Sequence, residues 1–163
     1  MVIQQKECAC GITNWFRFAL ASDDFSVFMP VTPTLSVTTN KTAVGPLVIS
    51  VYTSEVSPTT AFTAVRNSFP TNLNMTDTKK LFAGGLKQAL STEGHLIYDR
   101  EVSLGKYPGR EWRFDKYRGQ AVVTMRAYLV GHELFQAICV MPKSGVCQGH
   151  VRDFLDSCEI RKQ

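Results

Sequence analysis

Charged and aromatic side chains alternate in two segments of the chain that have the residue types to bind an anion or a peptide. The first segment is Tyr107-Pro108-Gly109-Arg110-Glu111-Trp112-Arg113-Phe114, and the second is Met125-Arg126-Ala127-Tyr128-Leu129. An arginine guanidinium has a planar fork of donors that holds a carboxylate with two parallel hydrogen bonds. The candidate binding residues in these segments are Tyr107, Arg110, Glu111, Arg126 and Tyr128.

Strand alternation predicts an ion pair between Glu111 and Arg126. Side chains alternate between the two faces of a strand, so Glu111 and Arg113 share one face of the first segment. Arg126 and Tyr128 share a face of the second segment, and Gln136 from a third strand is expected to join them. Two interpretations follow: an anion- or peptide-binding patch on the sheet, or a structural ion pair under a helix or on a solvated face.

The sequence contains no recognisable catalytic or metal-binding arrangement. None of the three histidines, His95, His132 and His150, belongs to a helical pair such as H-E-x-x-H. The chain also lacks a G-x-S-x-G elbow, a Walker loop and a G-x-G-x-x-G turn. We therefore expect a protein that is not an enzyme and that holds neither a metal nor a cofactor.

Five cysteines, an odd number, leave at least one thiol unpaired within a monomer. Cys8 and Cys10 are too few for a zinc site, which leaves a redox pair or two incidental thiols in a tail. Cys139 alternates with apolar residues and is expected in the core. Cys147 and Cys158 flank a helix about 15 Å long, too long for a disulfide between them. A bridge from Cys139 to Cys158, or from the tail to the body, stays open.

Length and composition indicate one ordinary globular domain. The chain has 163 residues, of which 44% are hydrophobic and 20% charged. The net charge of +4 is small and scattered, so it does not predict a nucleic-acid surface. No stretch is apolar and long enough to span a membrane, and the N-terminus lacks the apolar segment of a signal peptide. We expect a flexible tail over residues 1–13 and a single domain over residues 14–163.

The elements that must position these residues are short strands and two helices. Helices are predicted over residues 76–92 and 149–156, the first capped by Thr76 or Asp77 and ended by Gly94 in a left-handed conformation. Strands are predicted over 14–20, 25–29, 35–39, 47–56, 61–69, 95–104, 109–114, 121–130, 134–141 and 159–161. Because the helices are not in strict alternation with the strands, the pattern favours an α+β fold with a mainly antiparallel sheet.

Several sequence blocks resemble an uncharacterised bacterial family that is frequent in cyanobacteria and planctomycetes. The blocks are Phe25-Ser26-Val27-Phe28-Met29-Pro30, Tyr107-Pro108-Gly109-Arg110-Glu111, Arg126-Ala127-Tyr128-Leu129-Val130 and Phe154-Leu155-Asp156-Ser157. Where the family usually has R-L-Y-Q, this chain has Glu133-Leu134-Phe135-Gln136. The family is similar to the Mog1/PsbP-like fold, which implies an α/β/α sandwich with helices packed on both faces of an antiparallel sheet.

The resemblance implies a non-catalytic binding or accessory module that engages a partner protein through its sheet face or edge. The alternative is a small-molecule or anion-binding protein that uses the Arg110, Glu111, Arg126 and Tyr128 patch. A third hypothesis is a thiol-dependent function of Cys8 and Cys10. Family members often carry a secretion or lipoprotein leader, which favours an extracytoplasmic location over a cytoplasmic one.

Overall fold

The computed structural model describes residues 12, 14–43, 45–91 and 93–161, which form ten strands and two α-helices. The helices are α1 (Thr78–Leu90) and α2 (Gln148–Asp156), and a short 3-10 turn covers Lys143–Gly145. The strands are β1 (Phe16–Ala19), β2 (Phe25–Met29), β3 (Thr34–Thr42), β4 (Gly45–Ser57), β5 (Thr60–Ser68), β6 (His95–Leu104), β7 (Tyr107–Lys116), β8 (Ala121–Val130), β9 (Glu133–Pro142) and β10 (Glu159–Ile160). The predicted α+β class and antiparallel sheet are confirmed.

Seven strands form the main sheet, in the order β3-β4-β5-β9-β8-β7-β6. Every neighbouring pair in it is antiparallel. The predicted hairpin between β8 and β9 turns at Gly131, whose φ of 60° suits a residue without a side chain. A smaller sheet pairs β1, β2 and β10. The main sheet thus has two edge strands, β3 and β6.

Apolar side chains from alternate positions of β8 and β9 pack on opposite faces of the main sheet. On one face, Tyr128, Phe135 and Ala137 join β2 and α2 in the main core. On the other face, Trp112, Met125 and Phe82 of α1 belong to the second core. Cross-strand register fixes this separation, because Arg126 faces Ala137 whereas Met125 faces Ile138.

Helix α1 begins as predicted and ends differently. The Asp77 side chain accepts a hydrogen bond from the Lys80 amide at 3.1 Å, which satisfies one of the free donors of the first turn. The prediction that Gly94 adopts the left-handed conformation is wrong, and Ser91 has the positive φ instead, at 50° with ψ of −141°. The Gly94 amide instead donates to the Leu90 carbonyl at 2.8 Å, so the chain turns three residues earlier than expected.

The two residues that differ from the family's R-L-Y-Q block, Glu133 and Phe135, have local structural roles. Glu133 is ion-paired with Arg66 on the neighbouring strand β5. Phe135 is fully buried and stacks on Phe25 with ring centroids 4.9 Å apart. A tyrosine hydroxyl at this fully buried position would need a hydrogen-bond partner, whereas the phenylalanine needs none.

The structure tests the predictions for the three cysteines that it describes, Cys139, Cys147 and Cys158. Cys139 is buried in the main core as expected. Cys158 is a buried thiol with no disulfide, so neither the Cys139–Cys158 bridge nor a Cys147–Cys158 bridge forms. Cys8 and Cys10 lie outside the described residues.

Most of the expected tail also lies outside the described residues. Ile12, which was predicted to belong to the tail, packs against the main core. Within the described part of the chain, the helices are too short or too polar to cross a membrane.

Candidate functional site

The five candidate residues occupy both faces of the main sheet and do not form one patch. Glu111 on β7 faces Arg126 on β8, and Gly109 faces Tyr128, so these lie on the main-core side. Tyr107 packs at the margin of the same core. Arg110 lies on the opposite face, because it is the neighbour of Glu111 along the strand. The structure therefore brings Glu111, Arg126 and Tyr128 together and separates Arg110 from them.

The predicted ion pair between Glu111 and Arg126 is present, and it is buried. Arg126 Nε donates to Glu111 Oε1 at 2.6 Å, and the Glu111 side chain has no exposed surface. The Tyr98 hydroxyl donates to Oε2 at 2.8 Å, and Arg100 pairs with the same oxygen. Arg152 of α2 lies 3.8 Å from Oε1. We call Glu111 with Tyr98, Arg100, Arg126 and Arg152 the Glu111 cluster.

Arg126 connects the Glu111 cluster to the end of α2. Its Nη1 donates to the Leu155 carbonyl at 3.1 Å and lies 2.8 Å from Asp156 Oδ1. The last carbonyls of a helix lack partners within the helix and carry partial negative charge, so a guanidinium there satisfies and stabilises them. The pair seen in the sequence is thus part of the junction between the sheet and α2.

The environment of the Glu111 cluster favours its charged forms. Burial by itself would raise the pKa of Glu111, but the hydrogen bonds from Arg126 and Tyr98 outweigh it and lower that pKa below its ordinary value. For Arg126, burial opposes the charge and the hydrogen bond with Glu111 outweighs it, so its pKa is raised. Burial and the hydrogen bond to Glu111 raise the pKa of Tyr98, which stays a donor.

Tyr128 is buried beside the Glu111 cluster. Its side chain is 2% exposed, and burial raises its pKa to about 12. Its ring occupies the space over Gly109, where an added Cβ would lie 2.6 Å from Tyr128 Cδ1. Burial likewise raises the pKa of the Cys158 thiol to about 12, so this cysteine is a poor nucleophile near neutral pH.

Arg110 is held on the other face by two carboxylates of β6. Its Nη2 and Nε bind Asp99 Oδ1 at 2.6 and 2.9 Å, and its Nη1 lies 3.3 Å from Glu101 Oε1. Gln136, which was expected beside Arg126, also lies on this face, because it pairs with Ala127 and Val65 in the ladders. The expectation that Gln136 lies beside Arg126 is therefore wrong, because Ala137, the next residue of β9, is the one opposite Arg126.

Sequence reasoning missed three members of the Glu111 cluster. Tyr98 and Arg100 are two residues apart on β6 and so share one face of the strand that pairs with β7. This spacing could have identified both as neighbours of Glu111. Arg152 comes from α2, forty-one positions after Glu111 in the chain, and no local pattern points to it. Among the described residues, no group of three or more His, Cys, Asp or Glu side chains is placed to hold a metal ion.

The edge strand β3 is the most exposed regular element of the described chain. All nine of its residues are exposed, including two apolar side chains, Leu35 at 55% and Val37 at 56%. It pairs with β4 on one side, and no described strand pairs with its outer side. It carries one charged residue, Lys41. At the other edge of the sheet, β6 exposes Ile97 to the same extent as Val37, at 56%.

Comparison with known proteins gives a structural match and no sequence match. No family model matches the chain, and no curated protein is similar to it in sequence. The solution structure of cyanobacterial PsbP (CyanoP) from Synechocystis sp. PCC 6803 superimposes with a TM-score of 0.61 over 93% of this chain and 95% of that one, at 9% identity. The chain therefore has a PsbP-like fold.

Two further solved structures are more distant from this PsbP-like chain. A protein of unknown function from Pseudomonas aeruginosa matches with a TM-score of 0.47 at 6% identity, over 93% of this chain and 100% of that one. A protein from Bacteroides thetaiotaomicron VPI-5482 matches with a TM-score of 0.45 at 15% identity, over 90% of this chain and 48% of that one. Both are likenesses of fold too remote to carry a functional argument.

Proposed function

We propose that this chain is a non-catalytic accessory module that binds a partner protein along the exposed edge strand β3. The observation that carries the proposal is the full exposure of all nine residues of β3 at an edge of the main sheet. An uncovered edge presents a row of unpaired amide and carbonyl groups, which an extended segment of another protein can pair with.

The composition of β3 supports strand addition. Its sequence, TLSVTTNKT, is rich in the β-branched residues that suit a pleated strand. Natural proteins commonly protect such edges with charges, prolines or bulges, whereas β3 pairs with β4 in regular register from Thr34 to Thr42 and has a single lysine. Leu35 and Val37 would supply the apolar contacts beside the new backbone hydrogen bonds.

The anion-binding alternative has less support. Glu111 has no exposed surface, and the donors of Arg126 are directed to Glu111, Leu155 and Asp156. A ligand at this place would have to displace α2 or compete with a buried carboxylate. Arg110 lies on the opposite face and is paired with Asp99 and Glu101.

Other parts of the proposal rest on the fold likeness. Helices α1 and α2 pack against different cores of the main sheet, which is what a three-layer α/β/α sandwich requires. A PsbP-like fold is compatible with an accessory role and an extracytoplasmic location, both of which we propose on that analogy. The boundary of a tail at residue 13, and the thiol hypothesis for Cys8 and Cys10, stay proposals as well.

The test is affinity capture from native extract followed by cross-linking and mass spectrometry, with matched edge variants. Val37→Lys places a charge on β3, and Ile97→Lys places the same charge at an equally exposed position on β6. We expect a protein cross-linked to β3 that is captured by the wild type and by Ile97→Lys, and lost with Val37→Lys. Equal capture by all three proteins, or no specific capture by the wild type, would overturn the proposal.

A further inference from the structure

A groove of about 890 Å³ lies between helix α1 and the strands β6 and β7. It opens on the face of the main sheet opposite the Glu111 cluster. We call it the α1 groove, and its volume is within the range of small-molecule binding sites. Its apolar lining includes Phe82, Leu86, Leu90 and Trp112.

Trp112 lines this groove and has a buried indole donor. The residue is 1% exposed, and its indole Nε1 has no hydrogen-bond partner among the described residues. Its ring meets Phe82 of α1 edge-on, with centroids 6.3 Å apart. A buried N–H without an acceptor is unfavourable and uncommon in folded proteins. Because Nε1 has less than 1 Å² of exposed surface, a ligand in the groove can lie against the Trp112 side chain but does not reach this nitrogen.

The charges around the α1 groove leave a positive excess. Asp99 and Glu101 are both paired with Arg110, so these three residues together leave one negative charge. Lys79 and Lys87 line the same groove about two turns apart on α1. Within the described residues, neither lysine forms an ion pair with a carboxylate. The groove therefore combines an apolar surface with a net charge of +1, from three basic and two acidic lining residues.

We propose that the α1 groove binds a small carboxylic acid with an apolar body. The apolar body lies against Phe82, Leu86 and Trp112, and Lys79 and Lys87 attract its negative charge. This site is separate from the β3 edge and from the Glu111 cluster, so it does not depend on the proposed partner protein.

The test uses Trp112 as its own reporter and decanoate as the probe. The chain has two tryptophans, so Trp15→Phe leaves only the emission of Trp112. We expect decanoate, kept below its micellar concentration, to change this emission saturably. Decyltrimethylammonium has the same tail and the opposite charge, and should bind weakly or not at all. No saturable change with decanoate, or equal binding of both amphiphiles, would overturn the proposal.

Two matched pairs of variants, made in the Trp15→Phe background, locate the site. Ala83→Phe fills the groove from α1 and should abolish the response, whereas Gln88→Phe places the same ring on α1 away from the groove lining and should not. Lys79→Gln with Lys87→Gln should weaken decanoate binding about two- to fivefold for each charge removed, and Lys80→Gln should leave it unchanged. Binding that survives Ala83→Phe in a folded protein would contradict the location. Val37→Lys should leave decanoate binding intact, which separates this proposal from that of the β3 edge.

Discussion

Glu111 is a charged residue placed where solvent cannot reach it. Moving an ionised carboxylate out of water is costly, and only close charges and hydrogen bonds compensate for this cost. Here Arg126, Arg100 and the Tyr98 hydroxyl provide them directly. Such an arrangement adds little net stability compared with apolar residues, but removing one member leaves the others uncompensated.

Glu111→Gln is therefore expected to destabilise the protein. The loss should be about 3 kcal/mol, at the low end for a broken buried pair, because Arg100 and Arg152 are each nearly half exposed and regain water. Urea unfolding measures the change. Glu101→Gln is the control, since Glu101 is 82% exposed in its pair with Arg110 and should cost less than about 1 kcal/mol. Equal stability of the two variants would contradict this reading of the Glu111 cluster.

The same residue predicts a pH dependence with a definite sign. The pKa of Glu111 is lower in the folded protein than its ordinary value of 4.5. Its ionised form therefore stabilises the fold above that value, and the contribution is lost as the pH falls through the lowered pKa. The stability difference between the wild type and Glu111→Gln should be constant from about pH 7 to pH 5 and shrink towards about pH 3. Chemical denaturation at each pH measures it, and a difference that does not change with pH would argue against an ionised Glu111.

At the scale of elements, two glycines show how position decides the role of the same residue type. Gly84 lies within α1, and an added Cβ there would meet nothing within 4 Å. Gly109 lies on β7, where a Cβ would be 2.6 Å from the Ala127 carbonyl and from Tyr128. The first glycine only costs helix stability, whereas the second makes room for the buried tyrosine ring.

Alanine at these two positions should have opposite effects. Gly84→Ala should raise the free energy of unfolding by about 0.5–1 kcal/mol, because alanine loses less conformational entropy in a helix. Gly109→Ala should lower it by about 1–3 kcal/mol, because backbone and ring must shift to admit the methyl group. Thermal or urea unfolding of both variants gives the comparison. A neutral Gly109→Ala would contradict this prediction, because it would mean that Tyr128 and the Ala127 carbonyl both move aside at little cost.

At the scale of the whole molecule, the two cores share one sheet. Strands β8 and β9 contribute alternate residues to the main core and to the second core. Unfolding of either core would therefore disrupt the strands on which the other core is built. This sharing predicts one cooperative unfolding transition, as is usual for single domains of this size.

The prediction can be checked with the Trp15→Phe protein. Trp112 then reports on the second core alone, while far-ultraviolet circular dichroism reports on all strands and helices. Both signals should give the same urea midpoint. Separate midpoints would show that α1 and its core unfold independently of the rest.

Much of this fold could be predicted from local pattern. Strands β2, β6 and β8 have the predicted bounds, and α1 begins at the predicted cap, Asp77. These features depend on periodicity and on short-range hydrogen bonding, which neighbouring residues determine. The end of α1 was misplaced because glycine is the sterically easier residue for a positive φ, yet the positive φ occurs at Ser91.

The candidate site could be predicted only in part. Alternation placed Glu111 and Arg126 on matching faces, and the structure confirms their pairing. Alternation also separates Arg110 from them, although the candidate patch had combined all three. Gln136 was misplaced because register between strands, which a sequence does not display, decides which face a residue shares with its neighbours.

The sequence by itself determined the class of the fold, its strands and helices, and one ion pair, because these follow from the alternation of residues close together in the chain. Only the tertiary structure decided that Glu111 is buried beneath α2, that no described strand pairs with the outer side of β3, and that Trp112 Nε1 is buried with no hydrogen-bond partner among the described residues. Burial, edge position and unmet hydrogen bonds depend on which distant segments pack together. That packing depends on contacts throughout the folded chain and not on any local pattern.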